Sequence, residues 1–177
     1  MIGRPALRSP VALVAAAWLV GCAASPANSA GATALPAGAS LLSIGEANAV
    51  LGQCSRGTPA KGEAFFVPSK AEVNQFETDL QAVRASKDKI PAEMGMSNFP
   101  DDEAFNTWPR GWGRQYVGIL RGGRRFVYGN FYPVDLMGKG DDGGHAVVVC
   151  DGGPRFFGAE YEVRDRKFTH IAFNGPG

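Results

Sequence analysis

The residues of this chain that could do chemistry are few and far apart. Cysteines stand at 22, 54 and 150, and the two histidines at 145 and 170. The sharpest activity they could support is thiol catalysis. Cys54 would attack, His145 would take its proton, and Asn174 or Asp151 would orient the imidazole. A second possibility is cation binding, since Asp135, Asp141, Asp142 and His145 fall within eleven residues of a Gly-rich loop. Calcium asks for about six or more oxygens, usually from an Asp-x-Asp-x-Asp-Gly run closed by Glu, which is missing here. Zinc would need more free His or Cys. No metal and no cofactor is therefore expected, and His145 and His170 are expected as ordinary strand-end and sheet-face residues. No phosphate loop, Ser-x-x-Lys or Gly-x-Ser-x-Gly elbow follows the first apolar run.

A third constellation is recognition rather than reaction. Trp108, Arg110, Trp112, Arg114 and Tyr116 crowd into one stretch, with Arg121 and Arg124 close behind. From Arg110 to Arg125 there are five arginines and no acid. Trp, Tyr and Arg dominate interface hot spots because they combine large area with directional donors, and arginine clusters suit carboxylates or phosphates. The plainer use of the same residues is structural: the indoles would plug the core edge while the arginines pair with Asp101, Asp102 and Glu103. The contact surface expected here is the loop 108–114 plus the tip of the hairpin that follows.

The first residues supply an address. Arg4 and Arg8 precede an apolar run, Val11–Val20, that is too short to span a bilayer and ends in Leu19-Val20-Gly21-Cys22. This resembles the lipobox of bacterial lipoproteins. That resemblance implies cleavage before Cys22, acylation of its thiol and a stable membrane anchor. Ala23 after the cysteine resembles the pattern sorted to the outer membrane, facing the periplasm. Loss of residues 1–21 would take the net charge from +1 to −1. Neither value gives the basic excess that phosphate backbones demand, so no nucleic-acid partner is expected. Residues 22–40 are mostly small and polar and are expected to form a flexible tether. Residues 41–177 then form a single domain.

With Cys22 lipidated, Cys54 and Cys150 remain, and in an oxidising compartment two remaining cysteines usually pair. A nucleophilic Cys54 is the alternative. Gly52-Gln53-Cys54 and Gly144-His145-Ala146-Val147-Val148-Val149 resemble the cysteine and histidine segments of papain-like peptidases, which implies a thiol hydrolase. Those enzymes place the cysteine at a helix N-terminus; here Ser-Arg-Gly-Thr-Pro follows, and it reads as a loop.

The elements that must position these residues follow from pattern. Ser43 and Glu46 have capping-box spacing ahead of a short helix ending near Gly52. Phe65–Val67 suits a short strand. Ser69 and Glu72 cap the clearest helix, whose stripe Val73, Phe76, Leu80, Val83 faces a sheet and whose other face (Glu72, Gln75, Asp79) is solvated. Residues 86–114 lack periodicity. Gln115–Leu120 and Arg125–Phe131 flank Gly122-Gly123 as a hairpin. A three-stranded meander is expected from Ala146–Cys150, Arg155–Val163 and Lys167–Asn174. In its second strand, Phe157, Ala159, Tyr161 and Val163 oppose a wetter face of Phe156, Gly158, Glu160 and Glu162. In its third, Ile171 faces away from Phe168. The fold class is α+β, one main helix on a mostly antiparallel sheet of about five strands, similar to cystatin-like or NTF2-like folds at the level of fold alone. The function expected is a lipid-anchored envelope protein that binds or inhibits another envelope protein, or binds an anionic envelope polymer.

Overall fold

The structure, a computed structural model, describes residues 34–85, 108–137 and 144–175. The lipobox and Cys22, the acids 101–103, and Asp141 and Asp142 lie outside the described residues.

The hairpin is the spine. Strand β3 (Trp112–Arg121) and strand β4 (Arg124–Pro133) pair antiparallel along their whole length, from Trp112 opposite Pro133 to Arg121 opposite Arg124. That register leaves two residues, Gly122 and Gly123, in the turn, at φ of 57° and 70°. Such angles suit a primed turn that follows the natural twist of the strands. Strands β5 (Phe157–Glu162) and β6 (Lys167–Phe173) continue the meander beyond β4. On the outer edge of β3, β1 (Ala39–Leu41) pairs in parallel with residues 114–116 and β2 (Ala64–Phe66) antiparallel with residues 118–120. The result is a mixed six-stranded sheet, β1-β3-β4-β5-β6 with β2 sharing the edge of β1.

Each face carries its own helix. Helix α2 (Lys70–Ala85) begins with the capping box its sequence promises: the Ser69 hydroxyl accepts from the Glu72 amide, and Glu72 accepts from the Ser69 amide. Its Val73, Phe76 and Leu80 pack on Tyr116, Val127, Phe131, Phe157, Tyr161 and Phe168, and the Phe76 ring meets four other aromatic rings. The opposite face buries Val117, Ile119, Phe126 and Tyr128 beneath Leu42 and helix α1 (Ala47–Val50), which a 3₁₀ turn at Ile44–Glu46 leads into.

Several expectations need correction. Ala146–Cys150 is not a strand: both edges of β4 are already taken by β3 and β5, so the run lies across the second face without a backbone ladder. Glu160 and Glu162 are buried rather than wet. Arg121 grips Glu160 through two hydrogen bonds of 2.9 and 2.7 Å, and Arg124 pairs with Glu162 at 3.1 Å. Phe168 and Ile171 share the α2 face. The register skips Thr169 between Glu160↔His170 and Tyr161↔Phe168, and a bulge of one residue flips every later side chain. Ser43 makes no side-chain cap; Glu46 instead accepts from the Ala146 amide at 2.8 Å. Of the expected tether, Leu35 and Ala39 pack against the main core, as does Leu41 just after it. Glu77, beside the apolar stripe of α2, is buried as well. A short helix, α3 (Val134–Met137), follows β4.

Candidate functional site

Where α2 passes the β1–β3 edge, a cleft of about 560 Å³ opens. One wall is helical: Asn74, Glu77, Thr78 and Gln81 recur at i, i+3, i+4 and i+7 and so share a face. The second wall is the segment Pro36–Gly38 leading into β1. The third is the turn from Pro109 to Gly111, with a cis Trp108–Pro109 bond and Gly111 at φ 75°. Gly111 accepts from the Val134 amide at 2.9 Å, which fixes the turn to the start of α3.

The floor is ionic. Arg114 is only 2 % exposed and donates to Glu77 Oε2 at 3.2 Å, while the Tyr116 hydroxyl donates to Glu77 Oε1 at 2.5 Å. Burial raises the Glu77 carboxyl above its ordinary value, and the Arg114 charge with these hydrogen bonds offsets only part of that. Burial pushes the Tyr116 hydroxyl well up, and the facing carboxylate adds to the shift. Arg114 also holds the N-terminal wall: its Nη2 donates to the Ala37 carbonyl and its amide to the Gly38 carbonyl. Its Nε is buried with no hydrogen-bond partner. An unmet donor on a guanidinium is costly unless something accepts from it. Arg110 is exposed on the rim. The cleft therefore offers one exposed guanidinium, Arg110, over an Arg114–Glu77 pair that is already closed, with amide and hydroxyl side chains on the helix and apolar contact from Pro36, Pro109 and Val134. Such a set can hold an anion and grip the carbon skeleton that carries it.

The residues expected to form an exposed contact surface divide. Arg110, Trp112 and Arg114 line this cleft. Trp112 is nevertheless core, edge-on to Phe157; Trp108 is buried against Phe131 beneath the Arg84 guanidinium; Tyr116 is fully buried. Arg121 and Arg124 pair with Glu160, Glu162 and Asp165. Of the surface expected at 108–114 plus the hairpin tip, Arg110 and Arg124 are exposed, while Trp108, Trp112, Arg114 and Tyr116 are buried. The helical wall was the missed half. A polar stripe at 74, 77, 78 and 81, beside the apolar one, is the signal that would have found it.

The candidate catalytic residues are not assembled. Cys54 and Cys150 are joined by a disulfide, with Cα atoms 5.1 Å apart. His145 projects into solvent with Nδ1 3.4 Å from Glu46, and Asn174 is buried, accepting from Arg56 at 2.6 Å. The thiolate that a Cys54–His145–Asn174 mechanism requires is absent, because the sulfur is bonded. Among the described residues no group of three or more His, Cys, Asp or Glu could hold a metal ion, and no helix is long and apolar enough to cross a membrane. Comparison with protein-family models, with curated proteins and with solved structures finds no match to this chain.

Proposed function

We propose that this protein is a lipid-anchored envelope protein that acts by binding, and that the cleft between α2 and the β1–β3 edge takes a carboxylate-bearing saccharide unit of an anionic envelope polymer. The anchor rests on the resemblance of Leu19–Cys22 to a lipobox. The binding role rests chiefly on one observation: the exposed Arg110 stands at the rim of a cleft of about 560 Å³ whose buried floor cation, Arg114, is already paired with Glu77. That volume falls in the range of small-ligand sites rather than of flat protein interfaces. A carboxylate would accept from Arg110, and the sugar ring would rest on the proline walls, within reach of Asn74 and Gln81. Residues 36–38 form one wall, so the segment nearest the proposed anchor lies beside the cleft.

The test is titration of the protein with oligosaccharides differing only in a carboxylate, by calorimetry. The acidic sugar should bind, its neutral counterpart should not, and Arg110→Ala should weaken binding by about tenfold or more, as loss of a charge-assisted hydrogen bond implies. Equal affinity for both sugars, or no effect of Arg110→Ala, would sink the proposal.

A further inference from the structure

On the sheet face opposite the cleft, residues 145–151 are seated in an unusual way. Among the described residues they make no backbone-to-backbone bond to the sheet. Besides the Glu46 carboxylate, which accepts from the Ala146 amide, a row of carboxamides holds them, and this row contacts main-chain atoms at every second residue. Gln115 Nε2 donates to His145 O at 2.5 Å, and Gln115 Oε1 accepts from the Val147 amide at 2.8 Å. Val147 O accepts from Asn130 at 2.9 Å and from Gln53 at 3.0 Å. Asn174 Nδ2 donates to Val149 O at 2.8 Å and to Asp151 O at 2.7 Å.

The polarity of this row is imposed from below. Arg56 is buried and donates to the Oδ1 atoms of Asn130 and Asn174 and to the Tyr128 hydroxyl, all neutral partners. A guanidinium only donates, so both asparagine oxygens must face it and both NH₂ groups must face outward, toward carbonyls. Asn130 Nδ2 also donates to Gln115 Oε1, which orients that amide as well. Period-two contacts to main-chain atoms are how an extended peptide is recognised with little regard to its sequence. Only Val147 adds a buried side chain, between Tyr132 and Phe156.

We propose that Gln115, Asn130 and Asn174, aligned by Arg56, form together with Gln53 a receptor for the backbone of an extended polypeptide, and that residues 145–151 occupy it as a disulfide-tied surrogate. The tie is Cys54–Cys150, and both cysteines are exposed. A dithiol opens it by thiol–disulfide exchange: the S–S bond breaks, two cysteine thiols form, and the dithiol, giving up two electrons and two protons, becomes a disulfide. The surrogate then competes only through its own weak contacts, and an extended segment of a partner protein takes its place.

The test uses the full chain oxidised, reduced with dithiothreitol, and as the pair Cys54→Ser and Cys150→Ser. Amide hydrogen exchange should quicken at Val147 by about tenfold or more on reduction, while β3 to β6 keep their protection. A fluorescent peptide of the chain's own residues 144–152, carrying Cys150→Ser, should bind the oxidised protein least. It should bind the double variant better, and best once Val147→Pro in the protein removes the amide that Gln115 accepts from. Methylation of the peptide at the Val147 nitrogen should abolish binding. Unchanged protection of Val147 after reduction would overturn the proposal. So would opening of the whole sheet with it, or equal binding of the methylated peptide.

Discussion

Trp112 shows how a single side chain can belong to two structures at once. Its ring lies edge-on to Phe157 in the main core, only 3 % exposed, while the residue also lines the cleft. Trp112→Ala should therefore lower stability by about 3–5 kcal/mol, as other Trp and Phe truncations in cores do, with chemical denaturation as the measurement. A loss below about 1 kcal/mol would return the indole to a surface role. Residue type alone could not settle this, because the same aromatic area serves an interface or a core. Arg114 misleads in the same way. Its sequence neighbours carry no acid, and the partner that buries it, Glu77, arrives from α2. Pairing over such separations depends on topology, which no local pattern contains. The Cys54–Cys150 bond was legible for a different reason: once Cys22 is set aside, only one pair remains.

Elements defined by near-neighbour chemistry were readable, and those defined by what they lie against were not. The Gly122-Gly123 turn and the Ser69–Glu72 cap each close within a few residues, so both stand out in the sequence. Ala146–Cys150 has the composition of a buried strand but finds both edges of β4 and of β5 already paired, and the bulge at Thr169 leaves no trace in the alternation of β6. Strand glycines were equally silent, although they do specific work here. A Cβ at Gly118 would lie 2.4 Å from the Phe66 ring, and the Arg125 guanidinium lies over the same ring, 3.8 Å from its centroid. The ring thus rests on bare backbone and pins β2 to β3. Gly118→Ala should cost about 1–3 kcal/mol as an overpacking change. It should also release β2 specifically, seen as faster amide exchange at residues 64–66 than at β4 or β5. Unaltered protection of β2 would mean that the ring can move aside freely.

At the scale of the whole molecule, α2 is tied to the sheet by ion pairs as well as by its apolar stripe: Glu72 with Arg125, Glu77 with Arg114, and Asp79 with Arg166. These carboxylates titrate in opposite senses. Burial alone would raise Asp79, but hydrogen bonds from Arg166 and Tyr161 outweigh it and hold the group below 3.8; Glu72 is likewise held below 4.5, the Ser69 amide and Arg125 overcoming its burial. The unfolded chain takes up those protons first as pH falls. The stability they contribute is complete above the ordinary carboxylate values and is lost as pH drops through the folded ones. Glu77 acts the other way. Burial lifts it above 4.5, so the native state holds its proton longer, and stability declines as pH rises from 4.5 through the folded value. The pH profile of the unfolding midpoint should therefore rise steeply out of acid and then bend downward. Asp79→Asn should flatten only the acid limb, so that its deficit against the unsubstituted protein is largest near neutrality and shrinks toward low pH. Glu77→Gln should remove the downward bend and leave the acid limb in place. Thermal melts of the three proteins across the acid range give the answer. If Asp79→Asn lowers the midpoint by the same amount at every pH, the Asp79–Arg166 pair carries no net coupling, and the acid limb belongs to other carboxylates such as Glu72.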